Sequence, residues 1–331
     1  MGLKLLLKRG ALLAAANWQT IAIQFAAQAT FQAMLAVPLI GAAILVAVLL
    51  GADLANLLEG EFRDILRTVT GLLTAEPIAL GAFIAAFGIA LVGGSIFMLL
   101  VKGGTVHVLM TANDTAGPIE HEPVTLEGLR PAATFSMDRF LVGCSRLFRR
   151  YLALAAVVTV VYGLTAAGYL MFLVVGYRAA RGGSIVGWAF LAAASSVVLV
   201  LWITLVNLFY LLVQIAVAVG DGGLLDAARA VARFSRGEFR QLSGLFFVFL
   251  AVVVGATLVS ALAWSGVGLI AFVPLVGLAV FPLQIAALIL RGLVFEYIGL
   301  TSLGAYLTLF RRPAVAPGSA ALRWEPAGSH D

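Results

Sequence analysis

The sequence is poor in charged residues. Asp, Glu, Lys and Arg make up only 11% of its 331 residues, whereas hydrophobic residues make up 62%. A soluble globular domain carries about 25% charged and roughly 45–50% apolar residues. The mean hydropathy of +1.07 departs in the same direction. These values exclude a water-soluble globule and an intrinsically disordered chain, and they indicate a polytopic membrane protein.

The sequence also lacks the patterns on which many metal and catalytic sites are built. Cys144 is its one cysteine, which excludes an intrachain disulfide and a cysteine zinc cluster. Neither HExxH nor the phosphate-binding patterns GxGxxG and GxxxxGK followed by Ser or Thr occurs. No Ser-His-Asp arrangement can be assigned either. We therefore predict a non-enzymatic role, with no catalytic residue, no metal and no cofactor.

Long apolar runs are what the sequence does contain. A helix needs about 20 apolar residues to cross a hydrocarbon core about 30 Å thick. Six stretches qualify, at residues 33–51, 78–101, 151–175, 189–219, 242–264 and 275–310. They predict an all-α, polytopic membrane helix bundle with six transmembrane helices. We interpret the last stretch as one long helix that is either tilted or bent at Pro282 or Gly292.

The basic residues predict the orientation. Sixteen of the 21 lie in the N-terminal segment, the second and fourth connectors and the C-terminal tail, and four lie in the alternate connectors. Basic residues collect on the cytoplasmic side, so both termini are expected there. Because only three basic residues are lysines, the arginine bias is typical of a GC-rich bacterial genome. We predict a multi-pass protein of the bacterial cytoplasmic (inner) membrane.

The predicted domain organisation is simple. Residues 1–312 form one six-span transmembrane domain, and residues 313–331 form a disordered cytoplasmic tail. Within the domain, residues 1–101, 136–219 and 224–310 each combine a basic segment with two spans, which suggests three helix-hairpin units. The first residues resemble a signal peptide, but Lys8 and Arg9 interrupt the apolar run, so we expect no cleavage.

Several connectors have the pattern of amphipathic helices that lie on a membrane surface. Apolar residues recur at steps of three and four from Leu54 to Leu72, which predicts a helix at the outer interface. Residues 224–242 and 137–151 carry a basic stripe beside an apolar one, and Leu3 to Arg9 form a shorter version. Each basic residue near an anionic leaflet contributes about 1 kcal/mol. The candidate contacts to anionic headgroups are Arg229, Arg233, Arg236, Arg240, Arg139, Arg146 and Arg150.

A few polar residues interrupt the spans and could form an intramembrane site. Charged residues at bilayer depth are rare and are functional candidates by default. The charged candidates are Arg291 and Glu296. The uncharged candidates are Asn207, Tyr210 and Gln214, which form a polar line with Ser196 in the fourth predicted span. A further line of Thr20, Gln24, Gln28 and Gln32 runs at steps of four towards the first span. Either these residues are hydrogen-bonding glue between helices, or they border one polar cavity with Glu296 inside the core and Arg291 at the outer interface.

Two segments resemble a known kind of bacterial membrane module. They are LLDAARAVARFSRGEFRQLSGLFFVF at residues 224–249 and AYLTLFRR at residues 305–312. They are similar to the membrane domain attached to some bacterial glycerophosphodiester phosphodiesterases, and to related uncharacterised polytopic bacterial membrane families. The resemblance implies a six-helix integral membrane module. The phosphodiesterase barrel needs about 250 residues, but the longest stretch between spans here is the 49 residues at 102–150, so no catalytic residue carries over.

Three functional hypotheses follow. The first is a non-enzymatic membrane module that binds lipid, through anionic headgroups at the cytoplasmic face, or a protein partner, which includes a second copy of the chain. The alternative is a transporter or channel for a small solute that uses a polar site around Glu296. A membrane enzyme that acts on lipid is a third hypothesis, for which the residues offer little support. The net charge of +5 is explained by membrane orientation, so no nucleic-acid partner is predicted.

Overall fold

The computed structural model describes residues 2–50, 71, 77–181, 183–220, 223–271 and 276–311. Within these ranges the chain is helical and contains no strand. Almost all of the predicted helix between Leu54 and Leu72, and the tail at 313–331, lie outside the described residues.

The described residues form six long helices and several shorter ones. They are α1 (Leu3–Ala16), α2 (Trp18–Leu50), α3 (Pro77–Thr115), α4 (Leu126–Leu129), α5 (Met137–Ala180), α6 (Ile185–Val219), α7 (Leu224–Gly237), α8 (Phe239–Ala271) and α9 (Val276–Phe310). The helices α2, α3, α5, α6, α8 and α9 are each long and apolar enough to cross a membrane. This confirms the all-α fold class with six candidate transmembrane helices.

The helices begin where local chemistry favours a start. Ser136 and Ser184 precede α5 and α6, and their side chains accept hydrogen bonds from the amides of Arg139 at 3.3 Å and Gly187 at 3.1 Å. Such caps satisfy amides that have no partner within the helix. Pro77 opens α3, where its missing amide hydrogen costs nothing. Helix α2 begins at Trp18, with only Asn17 between it and α1, so the apolar stretch predicted from residue 33 is the later part of a longer helix that also contains Thr20, Gln24, Gln28 and Gln32.

Buried side chains are concentrated at one end of the bundle. This packed end consists of α1, the start of α2, the ends of α3, α6 and α9, the starts of α5 and α8, and α7. Its largest fully buried side chains are Tyr151, Leu6, Leu13, Leu109, Leu212, Ile215, Leu245, Leu300, Leu307, Leu309, Val108 and Val217. The other halves of the long helices expose apolar side chains, such as Phe190 at 75% and Leu262 at 73%. These halves are suited to a lipid environment.

Helix α1 belongs to the packed end, although its basic pattern suggested a surface helix. Leu6 and Leu13 are completely buried, and Gly10 lies against the backbone of α9. A Cβ atom at Gly10 would collide with the Thr301 carbonyl and the Ala305 amide. The absence of a side chain at this position therefore lets the two backbones touch.

Arg9 is buried rather than directed at headgroups. Its Nη1 donates to Glu120 Oε2 and to the Gly117 carbonyl, each at 2.6 Å, and its Nε donates to Asn113 Oδ1 at 2.9 Å. Nη2 donates to the Asn113 carbonyl at 2.9 Å. The arginine thus joins α1 to the end of α3 and to the loop that follows it.

Glycines also allow α3 and α5 to approach closely. A Cβ atom on Gly104 would meet the Phe140 ring and the Cys144 sulfur, and one on Gly143 would meet His107. Gly103 faces Gly143 from the other side of the same crossing. This contact fixes the position of the middle of α3, which carries Lys102.

Candidate functional site

The polar residues Thr20, Gln24, Gln28 and Gln32 of α2 run from the buried interior of the bundle to an exposed position at Gln32. Thr20 is completely buried, and its hydroxyl donates back to the Asn17 carbonyl at 2.7 Å. Gln24 is also buried, and its Nε2 donates to Thr105 Oγ1 of α3 at 3.2 Å. One and two turns further, Gln28 and Gln32 line open space instead. The line therefore changes from a structural to a cavity-lining role along its length.

A polar cavity lies between α2, α3, α6 and α9, beside the packed end. This central cavity has a volume of about 420 Å³. Its polar lining comprises Gln24, Gln28, Lys102, Gln214, Glu296 and Ser302. Two predicted site residues, Glu296 and Gln214, are thus brought together on one cavity.

Lys102 is the site residue that sequence reasoning missed. Because the apolar stretch at 78–101 ends just before Lys102, the sequence predicts that this residue belongs to the second connector, residues 102–150. Helix α3 instead continues to Thr115, which leaves Lys102 half-buried in the helix interior with its Nζ 5.4 Å from the centroid of the Tyr210 ring. The apolar residues on both sides of Lys102, and not only before it, are the signal that could have identified it.

Glu296 is half-buried in α9 and lines two cavities. Its charge acts on that of Lys102 across the central cavity. Among the described residues, however, neither a hydrogen bond nor an ion pair joins them. The central cavity therefore contains an amine and a carboxyl group that make no direct bond to each other.

Gln214 is the most deeply buried polar group on this cavity, with 3% of its surface exposed. Its backbone carbonyl accepts a hydrogen bond from the Tyr151 hydroxyl at 3.2 Å. Among the described residues no atom forms a hydrogen bond of full geometry with its side-chain Nε2, and the Tyr210 hydroxyl is the near polar neighbour of this amide. Buried donors are normally paired, so this amide is an unusual feature of the lining.

A second cavity extends the polar space away from the packed end. This α8 cavity, between α2, α8 and α9, has a volume of about 560 Å³ and shares Gln28 and Glu296 with the central cavity. Arg291 lines it, is exposed, and has its guanidinium carbon 5.7 Å from the centroid of the Phe295 ring. The acidic residues of the first connector, Asp53, Glu59, Glu61 and Asp64, are candidate partners of Arg291 by sequence and lie outside the described residues.

A third cavity opens between α2, α3, α5 and α6. This α5 cavity has a volume of about 310 Å³ and shares Gln28 and Lys102 with the central cavity. Asn207 and Tyr210 line it. Gln28 therefore borders all three cavities.

Part of the polar line of α6 holds two helices together. Asn207 Oδ1 accepts a hydrogen bond from the Tyr162 hydroxyl, and the Ser196 hydroxyl bonds that of Tyr169, each at 2.7 Å. Trp202 Nε1 also donates to Thr165 Oγ1 at 3.1 Å. These bonds link α5 to α6, whereas Tyr210 and Gln214 face cavities.

The predicted headgroup contacts divide into two groups. Arg139 donates to the Thr134 carbonyl at 2.9 Å, and Arg150 to the Gly220 carbonyl at 3.1 Å beyond the end of α6. Arg139 is nevertheless exposed, as are Arg146, Arg229, Arg233, Arg236 and Arg240.

On α7 the packed face differs from the predicted apolar stripe. Ala227 and Val231 are buried, whereas Leu225 remains 72% exposed, as does Phe239 at 69% just beyond the helix. Leu225 and the arginines of α7, Arg229, Arg233 and Arg236, are neighbours on the helix circumference. Arg240 follows Phe239 at the start of α8.

Comparison with protein-family models, with curated proteins and with solved structures found no match. The resemblance of residues 224–249 to a bacterial membrane module therefore stays a prediction. Among the described residues, no group of three or more His, Cys, Asp or Glu side chains could hold a metal ion.

Proposed function

We propose that this protein binds a small polar solute in the central cavity and carries it across the membrane. The observation that supports this most is that Lys102 and Glu296 face one cavity without a direct bond between them. A lysine or aspartate at the centre of a membrane helix costs about 2.5–3.5 kcal/mol on insertion scales. Residues that serve only to hold helices together would be expected to bond each other, as Tyr162 and Asn207 do.

The extent of the polar space supports transport rather than binding alone. The central and α8 cavities together contact α9 from Leu303 to Leu288. At 1.5 Å per residue this distance is about 22 Å, most of a hydrocarbon core about 30 Å thick. Gln28, Gln32 and Thr257 add polar groups along it. The far end of this path, at Leu303, lies in the packed end, which would have to move for a solute to pass.

Cysteine accessibility tests this function. In a Cys144→Ala background, Gln28→Cys and Gln32→Cys are expected to react with a membrane-impermeant thiol reagent, because water fills a polar cavity. Phe190→Cys is the matched control, since its side chain is exposed on an apolar helix surface and should stay unlabelled in lipid. Flux of small polar solutes into proteoliposomes should fall at least tenfold in Glu296→Gln. Absence of labelling at both glutamine positions would contradict the proposal.

A second function is favoured by a specific feature of α7. Its three exposed arginines, Arg229, Arg233 and Arg236, lie beside the exposed Leu225, and the exposed Arg240 follows at the start of α8. This arrangement is suited to an anionic bilayer surface. In nanodiscs, phosphatidylglycerol is expected to raise the unfolding temperature of the protein. Changing Arg229, Arg233, Arg236 and Arg240 to Gln should abolish this rise. The matched control changes Arg178 and Arg181. A rise that persists in the fourfold variant would count against this surface.

A further inference from the structure

The central cavity has hydrogen-bond donors that lack acceptors. The Lys102 ammonium lies over the Tyr210 ring, and no described oxygen accepts a hydrogen bond from it. Gln214 Nε2, on a side chain that is 3% exposed, also makes no hydrogen bond of full geometry, and the Tyr210 hydroxyl is its near polar neighbour. Both groups line the same cavity, and together they form a place for a ligand oxyanion.

The same cavity has an acceptor that lacks a donor. Glu296 lines it from α9, and no described group donates a hydrogen bond to its carboxylate. Lys102 acts on Glu296 electrostatically at a distance but does not occupy its lone pairs. A ligand ammonium or amine would do so.

We infer that the ligand of the central cavity is a small zwitterion, with its oxyanion at Lys102 and Gln214 and its ammonium at Glu296. This inference rests on the proposed function and names its substrate class. A simple anion or a simple cation would leave one of the two charged groups unmatched, whereas a zwitterion satisfies both. The volume of about 420 Å³ lies within the usual range of roughly 300–1,000 Å³ for small-molecule sites.

Two kinds of molecule carry such a pair of charged groups. The zwitterion is either a free molecule, such as an amino acid or phosphoethanolamine, or the headgroup of an ethanolamine phospholipid. The α5 cavity shares Lys102, Gln28 and Met98 with the central cavity, and its lining comes from α2, α3, α5 and α6. A headgroup would enter by that route, and a free solute would enter by the α8 cavity.

Ligand-induced thermal stabilisation of the purified full-length protein in detergent tests the inference. The probes are glycine and phosphoethanolamine. Each is compared with its single-charge analogues, which carry charge of one sign only: acetate and methylamine for glycine, inorganic phosphate and ethanolamine for phosphoethanolamine. We expect at least one zwitterion to raise the unfolding temperature by several degrees at a concentration where its single-charge analogues do not. A parallel arm compares nanodiscs of phosphatidylethanolamine with nanodiscs of phosphatidylglycerol.

Variants assign the response to the cavity. Lys102→Gln, Glu296→Gln and Gln214→Leu should each weaken zwitterion binding at least tenfold. The matched controls are Lys4→Gln and Glu127→Gln, because both residues are exposed and lie outside the three cavities. Should a cavity variant fail to fold, the comparison of zwitterions with their single-charge analogues on the unmodified protein still decides the question.

Each outcome has one meaning. Stabilisation by a free zwitterion identifies a soluble source, and stabilisation only in phosphatidylethanolamine identifies a lipid source. Equal responses to the single-charge analogues, or no response to either zwitterion or to the lipid, would overturn the inference. If Gln28→Cys is labelled and solute flux depends on Glu296 while zwitterions give no specific response, the substrate class fails and the proposed function stands.

Discussion

Arg9 is the single residue on which the attachment of α1 most depends. It is 9% exposed and donates to a carboxylate, a side-chain amide oxygen and two carbonyls. Its partner Glu120 is 7% exposed, so water cannot readily replace the guanidinium. Removing one member of a buried ion pair leaves the other charge uncompensated.

Arg9→Leu is therefore expected to destabilise the protein by about 3–5 kcal/mol. Chemical unfolding in detergent micelles, followed by circular dichroism, measures the effect. The control is Arg229→Leu, which removes the exposed ion pair to Asp226 and should cost less than about 1 kcal/mol. Similar losses in the two variants would show that the Arg9 network does not hold α1 in place.

At this scale the sequence identifies residues that stand out within an apolar run. Glu296 does so, and helical spacing adds Tyr210 and Gln214. Lys102 escapes detection because it is the first charge after the apolar stretch at 78–101, where a connector was expected. Its partners on the central cavity come from α2, α6 and α9, and that arrangement depends on tertiary packing that periodicity does not encode. The unpaired Gln214 amide is invisible to sequence for the same reason.

At the scale of the helices, contact between α1 and α9 depends on Gly10. Its position against the Thr301 carbonyl and the Ala305 amide leaves no room for a methyl group. Neither neighbour can rotate away, because both are backbone atoms. Overpacking of this kind typically costs about 1–3 kcal/mol.

Gly10→Ala should accordingly lower the free energy of unfolding by about 1–3 kcal/mol, although alanine is the better helix former. The matched control is Gly88→Ala in α3, where no atom lies within 4 Å of the added Cβ and stability should stay equal or rise. Both variants can be compared by thermal unfolding in the same detergent. Equal stability in Gly10→Ala would mean that α1 can move away from α9 without cost.

The sequence predicts where the long helices lie better than it predicts whether a helix is surrounded by protein, lipid or water. Apolar length alone identifies the six long helices, because the bilayer sets a minimum length. The pattern of Leu3 to Arg9 does not distinguish a helix on a membrane surface from one buried in protein, since both need one apolar face and a basic residue. Only the acceptors around Arg9, which come from residues 113–120, decide between them. The same ambiguity affects α7, which has apolar residues on two faces: Ala227 and Val231 are packed against the core, whereas Leu225 is exposed.

Over the whole molecule, the buried core and the basic segments lie at the same end of the bundle. The segments predicted to face the cytoplasm, including α1, the end of α3 and α7, are also those that form the packed end. The opposite halves of the helices expose apolar surface. Both features fit a bundle that is anchored by a protein core at its basic end and surrounded by lipid along the rest of its length.

The orientation that follows can be tested by labelling in intact cells. In the Cys144→Ala background, Gly183→Cys lies in the exposed turn between α5 and α6, and Arg233→Cys lies on the exposed face of α7. Because α6 spans the bilayer between them, an impermeant maleimide should label Gly183→Cys in intact cells and Arg233→Cys only after permeabilisation. The opposite result would place the basic end outside the cell, against the charge asymmetry. Labelling of both positions from the same side would mean that α6 does not cross the membrane.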